Sequence, residues 1–82
     1  MNTYKITKSG ERRYRGRMAD SDGLYVVRDA DYAAYYVVCE ETTHGPEAIG
    51  ADDAYDIWRR LLSGQDITSA YRCVVLGSRL AG

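Results

Sequence analysis

The sequence predicts a single α+β domain over residues 1–82, in which an antiparallel sheet of about four to five strands carries one main helix on one face, in the order β-β-β-β-α-β. Three observations support this prediction. Polar and apolar residues alternate in the N-terminal half, Gly, Ser and Asp residues separate these segments, and apolar residues recur at helical spacing within 51–63. The chain is 45% hydrophobic and 28% charged, which is the composition of an ordinary small globular domain.

Alternation and turn residues predict the first three strands. Residues 2–8 place Tyr4 and Ile6 on one face and polar residues on the other, and the turn 9–11 then leads into a second alternating segment at 12–18. This hairpin has a basic outer face. A further turn at 20–23 precedes a third strand at 24–28, which is rich in β-branched and aromatic residues.

The segment 29–41 fits two patterns. Asp29 and Asp31 are able to begin a helix, whereas the run from Tyr35 to Cys39 favours a strand. We favour a turn or a short helical start followed by a strand at about 34–42. Residues 43–50 are then predicted to form a loop.

The helix at 51–63 has signals at both ends. Asp52 and Asp53 lie in its first turn, basic residues lie in its last turn, and Gly64 follows as a stop. We expect its larger apolar residues to pack on the sheet, namely Tyr55, Trp58, Leu61 and Leu62. The apolar segment 69–76 is predicted to be a final, central strand.

No residue pattern in the chain indicates catalysis. His44, the single histidine, lies in a predicted turn, and neither a nucleophile motif nor a glycine-rich phosphate loop is present. Cys39 and Cys73 lie in apolar segments, so we expect both to be small core residues of a reducing compartment. The sequence therefore predicts a protein that is not an enzyme, with no cofactor and no metal site. It contains neither a membrane-spanning segment nor a signal peptide, so we expect a cytoplasmic protein.

Charge and tyrosine content indicate a binding role. The chain has a net charge of −1, but residues 1–18 hold six basic residues and one acidic residue, whereas residues 19–57 hold ten acidic residues and one basic residue. It has eight tyrosines and no phenylalanine, and a tyrosine at a surface combines a rigid apolar ring with a hydroxyl group. One interpretation is that the two segments neutralise each other. The other is that the acidic segment contacts a basic partner.

The residues that we predict to bind the partner combine carboxylates of the acidic segment with the tyrosines among them. They are Asp29, Asp31, Tyr32, Tyr35, Tyr36, Asp52, Asp53 and Asp56. Tyr4, Tyr14, Tyr55 and Tyr71 alternate or recur with apolar neighbours, so we expect their rings to lie in the core. An alternative is a nucleic-acid-binding accessory protein that uses the N-terminal hairpin through Arg12, Arg13, Arg15 and Arg17. A further alternative is a structural or oligomer-forming component.

Four features together give the chain a resemblance to a known class. They are the opening Met1-Asn2-Thr3-Tyr4-Lys5-Ile6, the acidic middle, the many tyrosines and the lack of a catalytic motif. The chain resembles the small inhibitors of bacterial defence complexes that phages and mobile elements encode, in particular those of the anti-CRISPR type. The resemblance implies a partner that is a protein or ribonucleoprotein complex with a basic groove, blocked by a monomer or small homo-oligomer in the host cytosol. The basic N-terminal hairpin departs from a purely DNA-mimicking design. These inhibitors share no motif, so none of their functional residues transfers to this chain.

Overall fold

The computed structural model describes residues 1–81 and confirms the α+β fold class. Five strands form one antiparallel sheet in the order β2-β1-β3-β4-β5. The strands are β1 (Asn2–Thr7), β2 (Gly10–Arg13), β3 (Gly23–Arg28), β4 (Ala33–Val38) and β5 (Glu47–Ile49). The helices are a short 3-10 turn (Met18–Asp20), α1 (Ala51–Leu62), α2 (Ile67–Tyr71), a π-helical turn (Arg72–Leu76) and α3 (Gly77–Ala81).

The register of the sheet determines which residues face the helices. Ile6 lies opposite Leu24, and Leu24 lies opposite Val37. Because side chains alternate along a strand, these three residues share the face on which the core is built. Val27 and Val38 therefore point to the other face, away from α1.

Helix α1 follows β5 directly and confirms the one helix that the sequence predicted. Ala54 and Ile57 are buried against the sheet, while Trp58 and Leu61 are partly buried beside them. The helix ends in a Schellman motif, in which Gly64 N–H donates to the carbonyl of Leu61. Gly64 has a φ of 101°, a left-handed conformation that glycine adopts without a Cβ clash.

The predicted strand at 69–76 is wrong, because α2, the π-helical turn and α3 follow one another without a break over residues 67–81. We call them together the C-terminal helix. Asp66 caps it by accepting hydrogen bonds from the Ser69 backbone N–H at 3.1 Å and the Ser69 hydroxyl at 2.7 Å. The buried side chains recur at helical spacing and complete the core: Ala70, Tyr71, Val74 and Val75. Packing of this apolar face outweighs the strand propensity of the β-branched residues.

Two other predicted segments differ from the structure. The second strand covers 10–13 and not 12–18, because the chain leaves the sheet after Arg13. The predicted loop at 43–50 contains the short strand β5, in which Ile49 pairs with Tyr35 of β4. The strand predicted at 34–42 ends at Val38, and residues 29–32 form the turn between β3 and β4.

The face opposite the helices is partly covered by the segment 14–22. Tyr25 points to that face, yet it is 0% exposed. The ring of Tyr14 packs edge-on against it at 5.1 Å between centroids, and the Tyr25 hydroxyl donates to the carbonyl of Ser21 at 2.6 Å. This burial raises the pKa of the Tyr25 hydroxyl. The segment 14–22 thus shields Tyr25 of β3 from solvent on the face away from the helices.

Candidate functional site

The fold brings several of the predicted acidic residues to one end of the sheet. Asp29 and Asp31 lie in the turn that joins β3 to β4, and Asp52 and Asp53 lie in the first turn of α1. Since β5 runs antiparallel to β4, α1 begins at the end of the sheet where this turn lies. With Asp56 one turn further along the helix, these five carboxylates form what we call the acidic end.

None of the five carboxylates of the acidic end takes part in an ion pair with another described residue. Asp53 is half-buried and the other four residues are exposed. One local role is visible, because Asp29 accepts a hydrogen bond from the Ala30 N–H at 2.7 Å and thereby stabilises the turn. Asp52 and Asp53 also favour α1 through their position at its N-terminus.

Three of the four ion pairs among the described residues join an arginine outside 19–57 to a carboxylate within that acidic segment, and the fourth joins Arg28 to Glu11. Arg17 lies 3.7 Å from Asp20, Arg28 lies 2.5 Å from Glu11, Arg72 lies 2.5 Å from Glu41 and Arg79 lies 2.6 Å from Glu47. Charge neutralisation within the molecule therefore accounts for part of the asymmetry in the sequence. It leaves the carboxylates of the acidic end unpaired, in contrast to Glu11, Asp20, Glu41 and Glu47.

The predicted contact tyrosines do not form one surface. Tyr32, in the turn of the acidic end, is 49% exposed, and its hydroxyl donates to the sulfur of Met1 at 2.9 Å. Tyr35 faces the helices and Tyr36 faces the opposite side, because they are neighbours in β4. Both are half-buried. The strand geometry thus separates Tyr35 from Tyr36 and leaves Tyr32 as the exposed ring of the three.

Tyr55 is an exposed aromatic residue that the sequence analysis assigned to the core. Its side chain is 57% exposed and its ring lies 6.0 Å from that of Trp58. The two rings line one side of an apolar cleft of about 220 Å³, which also contacts Ile6 and Tyr35 and is bounded by Gly10 and Glu11 of β2. We call this the aromatic cleft. The indole N–H of Trp58 donates to the carbonyl of Thr7 at 3.1 Å and holds α1 over β1.

The helical spacing of 54, 57, 58 and 61 already separates Tyr55 from the buried stripe. That spacing could have identified Tyr55 as a surface residue from the sequence. Leu62, which we also expected to pack on the sheet, is 47% exposed for the same reason.

The predicted basic residues lie along β2 and the segment after it. Arg12 and Arg13 are exposed on the edge strand, and Arg15 and Arg17 are exposed beyond its end. Tyr14, the ring that would stack with a nucleotide beside them, is packed on Tyr25 and donates to the carbonyl of Arg17 at 2.8 Å. Tyr14 is therefore engaged within the fold and is not free to stack on a base, as single-strand binding commonly requires.

Glu47 connects β5 to the C-terminal helix. Its carboxylate accepts hydrogen bonds from the Tyr71 hydroxyl and from the Arg79 guanidinium. Partial burial acts to raise the pKa of Glu47, but these hydrogen bonds and the charge of Arg79 outweigh it and lower the pKa below its usual value. Burial and the adjacent carboxylate raise the pKa of Tyr71 to about 12. We infer that this cluster has a structural role and holds the C-terminal helix against β5, because Tyr71 is 3% exposed and its hydroxyl is hydrogen-bonded to Glu47.

The two cysteines have different environments. Cys39 is buried as predicted, but Cys73 is exposed on the helix that replaces the predicted strand. Both are free thiols. In the described part of the chain, no group of three or more His, Cys, Asp or Glu side chains is arranged to bind a metal ion.

Within residues 1–81, no helix has the length and apolar character needed to cross a bilayer. Comparisons with protein-family models, with curated proteins and with solved structures found no match to this chain.

Proposed function

We propose that this protein is a non-enzymatic binding domain that occludes a basic, nucleic-acid-binding surface of a macromolecular partner. The observation that supports the proposal is the acidic end, where five carboxylates without an ion pair lie at one end of the sheet, while Glu11, Asp20, Glu41 and Glu47 are paired. A groove that binds nucleic acid is built to accept closely spaced negative charge. The acidic end presents such charge on a folded domain.

The exposed tyrosines give this surface contact area in addition to charge. Tyr32 lies in the turn between Asp29 and β4, and Tyr55 lies on α1 between Asp52 and Asp56. Tyrosine rings contribute large, rigid contacts at protein interfaces and are enriched among residues that dominate binding energy. A surface that combines carboxylates with exposed tyrosines suits a protein surface rich in arginine and lysine.

The partner that we propose is a bacterial defence complex, such as a CRISPR effector ribonucleoprotein. The proposal follows from the resemblance of the chain in size, charge and tyrosine content to inhibitors of that type. In this role the domain competes with target DNA for a basic groove, and no chemical step is required of it.

A competition assay tests the proposal. Purified CRISPR effector ribonucleoproteins of several types are mixed with labelled target DNA duplex, and the mobility shift is measured as the protein is added. We expect DNA binding by at least one effector to fall, with an inhibition constant that rises steeply with salt because the contact is between opposite charges. DNA binding that is unchanged for every effector would exclude the defence-complex proposal, and salt-independent inhibition would exclude the acidic end as the contact.

A further inference from the structure

A second surface lies at the free edge of the sheet, on the β2 side of the aromatic cleft, and shares Tyr55 with the surface proposed above. Strand β2 is the terminal strand on one side, whereas the opposite edge strand, β5, is joined to the C-terminal helix through Glu47. An unpaired strand edge presents a row of backbone donors and acceptors to an incoming strand. The geometry of β2 determines which groups those are.

The backbone groups of Glu11 and Arg13 point outward from the sheet. The Tyr14 N–H donates to the carbonyl of Thr3 at 2.9 Å, so these two residues form a hydrogen-bonded pair of the antiparallel ladder. Such pairs alternate with non-hydrogen-bonded ones, and the register places Arg13 opposite Tyr4 and Glu11 opposite Ile6. The register therefore leaves the backbone N–H and C=O groups of Glu11 and Arg13 without a partner in β1, and no turn, loop or cap hydrogen bond of the described residues involves them.

The aromatic cleft opens beside this edge. Glu11 and Gly10 of β2 bound the cleft, and Glu11 shares the helix-covered face with Ile6. A residue of an added strand directly opposite Glu11 would have its Cβ about 5 Å away on that same face. Its side chain therefore enters the cleft between β2 and the rings of Tyr55 and Trp58.

The charges of β2 select the chemistry of the added strand. Arg12 and Arg13 are exposed and take part in no ion pair with a described residue, while Glu11 is already paired with Arg28 at 2.5 Å. Basic residues on an edge strand disfavour pairing with a second copy of the same strand. They favour a strand that carries acidic residues at the positions opposite them.

We propose that the β2 edge and the aromatic cleft together bind an extended segment of a partner protein, in which two acidic residues are followed by a large apolar residue. The segment adds antiparallel to β2. Its acidic residues lie opposite Arg13 and Arg12, and its apolar side chain lies opposite Glu11 and fills the cleft. Backbone hydrogen bonds give affinity in this mode of recognition, and the cleft gives specificity.

Trp58 reports directly on this site, because it is the single tryptophan of the chain and lines the cleft. The probe is the peptide acetyl-Thr-Glu-Glu-Leu-Thr-amide, titrated while indole emission is recorded. We expect a saturable change in emission. We expect the affinity of the peptide to fall about threefold to tenfold when the leucine amide is N-methylated, since this removes one backbone hydrogen bond to Glu11.

Two protein variants of equal charge change complete the test. Arg12→Glu with Arg13→Glu is expected to weaken peptide binding about tenfold, because both facing pairs become repulsive. Arg15→Glu with Arg60→Glu alters two exposed arginines outside β2 and is expected to change binding less than about twofold.

Several results would overturn the proposal. One is a Trp58 emission that does not change with the peptide. Another is equal affinity for the N-methylated peptide or for the lysine-substituted peptide acetyl-Thr-Lys-Lys-Leu-Thr-amide. Displacement of the peptide by an oligothymidylate would instead assign the edge to nucleic acid. Concentration-dependent dimerisation that Arg12→Glu abolishes would assign the edge to a second copy of the chain. The proposal is supported if binding requires the acidic residues of the peptide, is weakened by amide methylation and is weakened by the Arg12→Glu and Arg13→Glu double variant.

Discussion

Replacing Tyr71 with phenylalanine tests whether the Glu47 cluster holds the C-terminal helix to the sheet. The ring is 3% exposed and stays in the core, so the substitution removes only the hydroxyl that donates to Glu47. A hydrogen bond to a charged group contributes about 1.5 to 3 kcal/mol to the free energy of unfolding. Because the Glu47 side chain is 28% exposed and keeps Arg79, we expect the lower value, about 1.5 kcal/mol. For a domain of this size that loss lowers the Tm by about 6 to 12 °C.

The pH dependence of the stability loss in Tyr71→Phe distinguishes the loss of the hydrogen bond to Glu47 from a change in packing. The pKa of Glu47 is lowered in the folded protein, so its contribution to stability is present above the unfolded pKa and is lost as the pH falls through the folded pKa. We therefore expect the difference between wild type and Tyr71→Phe in urea unfolding to narrow in acid, where Glu47 is protonated. Equal stability of the two proteins at neutral pH, or a difference that is constant with pH, would refute the reasoning.

Two further substitutions test the core and the end of α1. Ile57 is 0% exposed, so Ile57→Ala is expected to lower the free energy of unfolding by about 2 to 4 kcal/mol in a urea titration, and a loss below about 0.5 kcal/mol would contradict its place in the core. Gly64→Ala, at a φ of 101°, is expected to cost about 1 kcal/mol in the same measurement, and no cost would contradict the left-handed cap.

The sheet and α1 were predictable because their patterns are local. Tyr4 and Ile6 alternate with polar residues and do face the helices, and α1 begins after Gly50 and ends before Gly64 as its flanking residues indicated. β5 was missed because it has three residues, too few to show a period. Its existence depends on pairing with β4, which is a tertiary contact.

The C-terminal helix was mispredicted although the sequence contains its signals. Asp66 precedes Ser69 by three residues, and Ile67, Ala70, Tyr71 and Val74 recur at helical spacing. The strand prediction rests on the density of apolar residues in 69–76, which is weaker evidence than a capped, periodic segment. The same error predicted a buried Cys73, which is exposed.

The candidate site was predictable in its charge and not in its shape. The acidic residues were found from composition, but their convergence at one end depends on β5, which directs α1 back across the sheet. The prediction groups Tyr35 with Tyr36 because both lie within the acidic segment, but they are neighbours in a strand, which places adjacent residues on opposite faces. The aromatic cleft combines β1, β2, β4 and α1, so no local pattern in the sequence could define it.

The proposed function is tested most directly by reversing charge at the acidic end against an equal reversal at the other end of the sheet. Asp31 and Asp56 are exposed and lie outside the first turn of α1, and their side chains make no hydrogen bond within the described residues. Asp22 and Glu40 are exposed at the opposite end, before β3 and after β4, and serve as the matched control.

The measurement is the inhibition constant for target-DNA binding by a sensitive effector ribonucleoprotein, for the two double variants and wild type, with circular dichroism confirming that each is folded. We expect Asp31→Lys with Asp56→Lys to raise the constant about tenfold or more, and Asp22→Lys with Glu40→Lys to change it less than about twofold. Equal effects of the two pairs, or a larger effect of the control pair, would contradict the assignment of the acidic end as the surface that binds the partner.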